Sequence, residues 1–315
     1  MSNVDSPEKP PLALIAGPTA SGKSDLAVRL AKALETRGRR GVVINADSAQ
    51  VYADLEVLSA RPSAEEMQGV EHRLYGAWDG ADACSAADWA ERARGEIGLA
   101  HEEGVVPILV GGTGLYIRTL LDGIAPVPPV DPLVREAVRD MPLAEAALAL
   151  QAEDPDRAAR LGPADSARIR RALEVVRSSG QPLTHWQQQV SGGIGETITL
   201  HPVILLPDRA WLYERCDRRF DLMLQRGAIE EVEALLARQL SPDLPVMRAI
   251  GLPEIADFLR GTATLEDALA RGSQSTRNYV KRQITWLRHQ PPTEWPRIES
   301  EHFNEGDIFV SLLRH

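Results

Sequence analysis

Residues 17–24 read Gly17-Pro18-Thr19-Ala20-Ser21-Gly22-Lys23-Ser24, and their types and spacing are those of a loop that holds phosphate. Two glycines bracket a turn whose backbone N–H groups can converge on an anion. A helix opening at Lys23 adds its positive dipole end at the same point. Lys23 supplies a point charge between two phosphates, and the Ser24 hydroxyl is placed to ligate a magnesium ion. A glycine- and serine-rich turn without function is the competing reading. The apolar strand pattern before the run (residues 12–16) and the helical pattern after it supply the context that a phosphate loop requires. The motif does not say which phosphate is held. Nucleotide kinases and ATPases use it, and so can an enzyme whose substrate carries a diphosphate.

Two further candidates stand at strand ends. Val42, Val43 and Ile44 form a second apolar strand that delivers Asn45-Ala46-Asp47-Ser48. In an open parallel sheet, ligands sit at the carboxyl ends of strands. Asp47 therefore falls beside the phosphate loop, able to take a proton from a substrate or to help hold the metal, although an Asp there is also a common helix cap. A third strand, residues 105–110, ends in Gly111-Gly112-Thr113-Gly114. A nucleoside triphosphatase usually places a magnesium-binding Asp there. The glycines weaken an ATPase reading and let a backbone or substrate come close. Thr113 either hydrogen-bonds a substrate or caps the helix behind it.

These residues need a sheet to position them. The helical periods at 25–37 and 85–99, the second capped by Ser85, alternate with the strands as in an α/β fold. Residues 55–75 are mixed and loop-rich, with an isolated His72. Composition shifts after Leu121: Gly123, Pro126, Pro128, Pro129 and Pro132 are linker chemistry. Residues 133–189 carry only helical patterns, broken at Pro142, Pro155, Gly162-Pro163 and Gly180-Gln181-Pro182, and a strand returns at 197–206. The expected fold is α/β, a P-loop NTPase-like parallel sheet flanked by helices. Its core spans 1–122 and 197–315, with a small all-helical domain inserted at 123–196. Helices are expected at 211–226, 229–238, 246–259 and 275–289.

The chain has 315 residues and a net charge of −10, which argues against indiscriminate coating of nucleic acid. It carries no apolar run of the ~20 residues that would cross a bilayer, and residues 1–11 are too polar for a signal peptide. The expectation is a cytoplasmic protein, away from membranes. Cys84 and Cys216 have no CxxC partner and read as reduced, structural thiols. The basic charge is clustered at Arg168, Arg170 and Arg171, at Arg215, Arg218 and Arg219, and at Arg277, Lys281, Arg282 and Arg288. Each cluster is either a solvated helix face paired with acids or a surface for phosphates.

Taken together, the motifs resemble the tRNA dimethylallyltransferase family, also called tRNA isopentenyltransferases. The residues that carry the likeness are GPTASGKS at 17–24, ADSAQVY at 46–52, PILVGGTGLYIRTL at 107–120, RIRRALEV at 168–175, RRFDLML at 218–224, MRAIG at 247–251 and NYVKRQITWLR at 278–288. The resemblance implies that the loop grips dimethylallyl diphosphate, and that its five-carbon group moves to N6 of adenosine 37, next to the anticodon of tRNAs reading codons that begin with U. Magnesium at Ser24 assists. It makes Asp47 the group that accepts or orients the N6 proton, with Thr113 and Arg219 completing the catalytic set.

It also implies tRNA contacts at Asp47, Ser48, Ala49, Gln50 and Thr113, at Arg135, and at Ala167, Arg168, Ile169, Arg170 and Arg171. A further set is Arg248, Ala249, Ile250, Gly251, Leu252 and Pro253, with Arg277, Lys281 and Arg282 on the last helix. The partner it implies is the anticodon stem-loop of tRNA, and a monomer is expected. The sequence departs from the family pattern at Leu58-Ser59-Ala60-Arg61-Pro62 and at His72-Arg73-Leu74-Tyr75-Gly76, so no role is carried to His72. The competing functions are an adenylate isopentenyltransferase acting on the free nucleotide, a P-loop kinase of a small substrate, and a non-catalytic RNA adaptor. The intact Lys23, Ser24, Asp47 and Arg219 speak against the adaptor.

Overall fold

The computed structural model describes residues 9–314. Six strands form one sheet: β1 (Pro11–Ala16), β2 (Arg40–Asn45), β3 (Glu71–Arg73), β4 (Val105–Gly111), β7 (Thr199–Leu205) and β8 (Arg297–Ile298). All pairs are parallel, in the order β3-β2-β4-β1-β7-β8. Between them run α1 (Lys23–Glu35), α2 (Ala64–Met67), α3 (Ala86–Glu102) and α4 (Gly114–Asp122). Successive strand residues point to opposite faces, and both faces are covered. Val43 packs with α1 residues Leu26, Leu30 and Leu34, whereas Val42 packs with Ala100 of α3. Burial on both sides is why these strands read as continuous apolar runs.

The chain divides into two compact units, 1–120 with 195–315, and Leu121–Ile194. The second contains α5 (Pro132–Asp140), α6 (Leu143–Glu153), α7 (Pro155–Ala158), α8 (Ser166–Ser179) and α9 (Leu183–Gln187), around Val138, Leu150, Ile169 and Leu173. It is not wholly helical: β5 (Gly123–Ile124) and β6 (Ser191–Gly192) pair antiparallel. A two-residue ladder flanked by glycines is too short to leave a pattern of alternation.

The C-terminal part holds α10 (Arg209–Gln225), α11 (Ala228–Ala237), α12 (Leu252–Leu259), α13 (Leu265–His289), α14 (Glu305–Ile308) and α15 (Val310–Leu313). Two expectations are corrected here. The single helix expected at 246–259 is a 3₁₀ turn (Pro245–Arg248) followed by α12, because Gly251 takes a left-handed φ of 92° at the junction. Helix α13 begins ten residues before the expected 275, at a capping box in which Thr264 and Asp267 satisfy each other's backbone N–H groups. The Gly272-Ser273 pair lowers helical propensity and hides this start. A side chain at Gly272 would run into the Phe220 ring, 2.2 Å from an added Cβ. The edge strands β3 and β8 and the helix α2 also arise from segments without a strong period.

Candidate active site at the phosphate loop

The loop follows β1 directly, and Gly17 N–H donates to Gly111 O (3.2 Å), tying it to the end of β4. Its backbone turns left-handed at Ala20 (φ 64°) and Gly22 (φ 88°), the excursions that build an anion-binding nest. Helix α1 then opens at Lys23. Lys23 is 9% exposed, and its Nζ donates to Pro18 O (3.2 Å). Burial lowers its pKa from 10.5 to about 8, Asp47 pulls it back up, and Arg219 pushes it further down. An ammonium this desolvated is poised to be stabilised by an incoming anion.

Helix α10 brackets the loop from one side. The Arg219 guanidinium donates to Thr19 Oγ1, and burial lowers its pKa while Asp47 opposes the shift. Arg215 donates Nε to Ala20 O (3.0 Å) and stacks over Trp211, 4.5 Å from the ring centre. Helix α13 closes the other side through Gln283, a buried amide that accepts from Thr19 N–H (2.9 Å) and donates to Gly112 O (3.1 Å). Sequence reasoning missed Gln283. The available signal was a polar residue on the face that buries Val280, Ile284 and Leu287.

Asp47 is set by a chain of buried and half-buried bonds. Trp89 Nε1 donates to Asn45 O (3.0 Å), and the Asn45 amide donates to Asp47 O (3.0 Å) and Leu74 O (3.2 Å). Asp47 N–H donates back to Asn45 Oδ1 (2.9 Å), and Asp47 Oδ1 accepts from Ala49 N–H (3.0 Å). One carboxylate oxygen thus holds the local turn. Thr113 does not spend its hydroxyl on its own helix: it accepts from Ser48 N–H (3.0 Å) and bonds Ser48 Oγ (3.3 Å), anchoring the segment after Asp47.

Two cavities meet at these residues. One of about 480 Å³ is lined by Gly22, Lys23, Ser24, Arg61, Arg215 and Arg219, an anion-binding set. The other, of about 290 Å³, is lined by Tyr52, Leu58, Phe220, Met223, Val246 and Tyr279, a largely apolar set. Thr19, Asp47, Ser59, Ala60, Arg219 and Met223 line both. Cys84 and Cys216 border the apolar cavity, and burial pushes both thiols up, Cys84 to about 11, so they stay protonated and unreactive.

Of the other residues singled out in the sequence, Ser48, Ala49, Arg248, Ala249, Ile250 and Arg282 line the apolar cavity. Gln50 lines the anion cavity, as does His72, whose Nδ1 bonds Val70 O (2.8 Å). Gly251 caps α12, and Pro253 is exposed on its first turn. Leu252 is buried at 3% exposure, so its side chain is core and not contact surface. Arg277 pairs with Asp217 (2.5 Å), whereas exposed Lys281 lies with Arg209, Arg288 and His289 around a separate small basic cavity. Within the insertion, Arg135, Ala167, Arg168 and Arg171 are exposed. Arg170 is tied to Arg139 O (2.5 Å) and Met141 O (3.0 Å). Ile169 is a core residue at 3% exposure, so its side chain is withdrawn from any ligand.

Among the described residues no three His, Cys, Asp or Glu side chains form a metal cage. The anion cavity is lined by the Ser24 hydroxyl and the carboxylates of Asp25, Asp47 and Glu66, among other hydroxyl and amide groups. That sparse oxygen set fits magnesium, which keeps its waters and takes substrate phosphate oxygens.

A phosphate loop that meets a largely apolar cavity across one carboxylate suits a transferase whose substrate has an anionic leaving group and an apolar transferred part. Comparison with known proteins sharpens this. The IPP transferase family model matches residues 50–290, and a second model, Isopentenyl transferase, matches residues 10–81. The chain belongs to the IPP transferase family. It is 65% identical over 308 residues to a tRNA dimethylallyltransferase of Erythrobacter litoralis, covering 98% of this chain and 97% of that one. It is 52% identical to a Zymomonas mobilis protein of the same name, covering 99% of each. Among solved structures, the tRNA isopentenylpyrophosphate transferase of Bacillus halodurans superposes with a TM-score of 0.67 at 32% identity, covering 97% and 95% of the two chains. A eukaryotic dimethylallyltransferase, captured acting on tRNA, superposes at 0.73 and 27% identity, covering 88% and 70%.

Proposed function

We propose that the protein transfers the dimethylallyl group of dimethylallyl diphosphate to N6 of adenosine 37 in the anticodon loop of tRNAs reading codons that begin with U. The observation that carries this is Asp47, lining both the anion cavity and the apolar cavity, within electrostatic reach of Lys23 and Arg219. The diphosphate lies against the loop amides, Lys23, Arg215 and Arg219. The five-carbon group and the acceptor base share the apolar cavity.

In the reaction the N6 lone pair forms a bond to C1 of the dimethylallyl group. The C1–O bond breaks, its electron pair leaves with the diphosphate, and the N6 proton passes to Asp47. Lys23, Arg219 and the loop N–H groups stabilise the charge that grows on the leaving oxygen. The Ser24 hydroxyl would hold a magnesium ion, which would supply further neutralisation of the same charge. Thr113 holds Ser48, and through it the strand end that carries Asp47. The base is reached by flipping, which costs least in a single-stranded loop. Arg248 and Arg282, at the rim of the apolar cavity, bind the RNA there, and Arg277 and Lys281 extend the contact along α13. Arg135, Ala167, Arg168 and Arg171 of the insertion domain are tRNA contacts. A tRNA substrate makes the cytoplasm the site of action, and the enzyme works as a monomer.

The test offers labelled dimethylallyl diphosphate and magnesium, without ATP, to an anticodon stem-loop, to AMP and to no acceptor. Label on the stem-loop alone supports the reading. Label on AMP replaces it with an adenylate isopentenyltransferase, and transfer to neither acceptor removes it.

A further inference from the structure

The loop at 55–62 walls both cavities, yet it contains no strand or helix of its own. Leu58, Ser59 and Ala60 face the apolar cavity, while Ser59, Ala60, Arg61 and Pro62 face the anion cavity. Its backbone is a run of turns, with Ala60 N–H donating to Val57 O (3.0 Å), Arg61 N–H to Glu56 O (3.0 Å), and Ala60 at a positive φ of 54°. Such a segment needs outside anchors to hold one shape. It has two. The Gln50 amide donates to Ser59 O (3.1 Å) and Ala60 O (2.8 Å). The second is Glu231, far away on α11. Its carboxylate accepts from three successive backbone amides: Glu56 N–H, Val57 N–H (3.0 Å) and Leu58 N–H (2.8 Å).

Three consecutive N–H groups converging on one carboxylate are a nest filled by an anion of the protein itself. Charge-assisted bonds of this kind are roughly twice as strong as neutral ones. The last of the three amides belongs to Leu58, whose side chain lines the apolar cavity and reaches to 2.8 Å from where a Cβ on Gly251 would stand. The anchor therefore fixes the wall of the cavity and its contact with the 245–251 turn together.

We infer that Glu231 is a positioning residue for prenyl transfer: by filling the amide nest at 56–58 it holds the 55–62 loop as the shared wall of the diphosphate and prenyl cavities. The inference rests on the function proposed above. Glu231 touches neither cavity, so its effect travels through the loop. Losing the nest should loosen the small substrate more than the RNA, since the 55–62 loop lines both cavities of the small substrate, whereas Arg277, Lys281 and Arg282 stand on α13.

The experiment joins amide hydrogen exchange with kinetics. In the wild-type protein the Val57 and Leu58 amides should exchange at least tenfold more slowly than that of Val70, which is bonded within a turn nearby. Glu231→Gln, which keeps the shape but loses the charge, should speed exchange at 56–58 tenfold or more and leave β1 and β4 unchanged. It should raise KM for dimethylallyl diphosphate at least fivefold while kcat and the tRNA Kd change less than threefold. Glu231→Asp, which keeps the charge on a shorter arm, should recover part of both effects.

Unprotected Val57 and Leu58 amides in the wild type would overturn the inference. So would a Gln variant with faster loop exchange and an unchanged KM, or one in which kcat, tRNA affinity and sheet exchange all fall together. Should Glu231→Gln fail to fold, the wild-type exchange pattern and the KM of Glu231→Asp decide. If no acceptor is prenylated by the wild-type protein, the proposed function fails, while the exchange data still report on the nest.

Discussion

Replacing Lys23 by methionine should stabilise the ligand-free protein while removing its activity. The near-isosteric side chain keeps the volume and deletes the charge. Lys23 is 9% exposed, so little solvent screens it. The fall of its pKa from 10.5 to about 8 corresponds to about 3 kcal/mol of penalty for holding the ammonium in the folded state. Losing the Nζ donation to Pro18 O gives back about 1 kcal/mol, which leaves a net gain of about 2 kcal/mol at pH 7.

The sign follows from linkage. Between about 8 and 10.5 the unfolded chain binds the Lys23 proton and the folded one has lost it, so wild-type stability rises with pH across that window. The methionine variant lacks this rise, so its advantage falls by about 3 kcal/mol across the window and passes to about 1 kcal/mol in favour of the wild type above pH 10.5. Paired urea unfolding curves without ligand, at steps from pH 7 to 10.5, measure the difference with every other titrating group cancelled. A variant less stable than wild type at pH 7, or a difference that stays flat across the window, refutes the account of Lys23 as a charge buried for the sake of its ligand.

Asp47→Asn keeps the oxygen that accepts from Ala49 N–H but cannot take a proton, so single-turnover transfer should fall about a hundredfold or more with tRNA affinity nearly unchanged. An equal loss of tRNA binding would contradict that role. Gln283→Ala frees Thr19 N–H and Gly112 O together and should raise KM for the diphosphate substrate, read by steady-state kinetics, with a cost of about 1–3 kcal/mol in unfolding free energy. Gly114→Ala places a Cβ 2.2 Å from the Trp286 indole, so thermal unfolding should show destabilisation of at least about 1 kcal/mol. Cys84 and Cys216 should resist iodoacetamide in the native state at pH 7 and react only on unfolding, because burial holds both thiols protonated.

The sheet was legible because its central strands are buried on both faces and read as unbroken apolar runs ending in Gly17, Asp47 and Gly111. The phosphate loop was legible because its chemistry is local: one strand, one turn, one helix start. What the sequence hid is what depends on distant partners. Gln283 reaches a loop 264 residues earlier in the chain, and Glu231 holds amides from a segment that looked featureless. Neither leaves a periodicity or a motif to read. Gly272 and Gly251 look alike as helix breakers and both stand against the Phe220 ring, yet the first lies inside α13 and the second ends a turn at φ 92°. Ile169 and Leu252 sit within segments that resemble RNA-contacting blocks, and only burial separates them from the exposed residues beside them.

The most direct test of the central claim is a nucleoside digest of an anticodon stem-loop after reaction with dimethylallyl diphosphate and magnesium, with released diphosphate measured in the same tube. The account predicts one N6-dimethylallyladenosine at position 37 for each diphosphate released, with no requirement for ATP. Diphosphate release without a prenylated nucleoside, or turnover of ATP in its place, would contradict it.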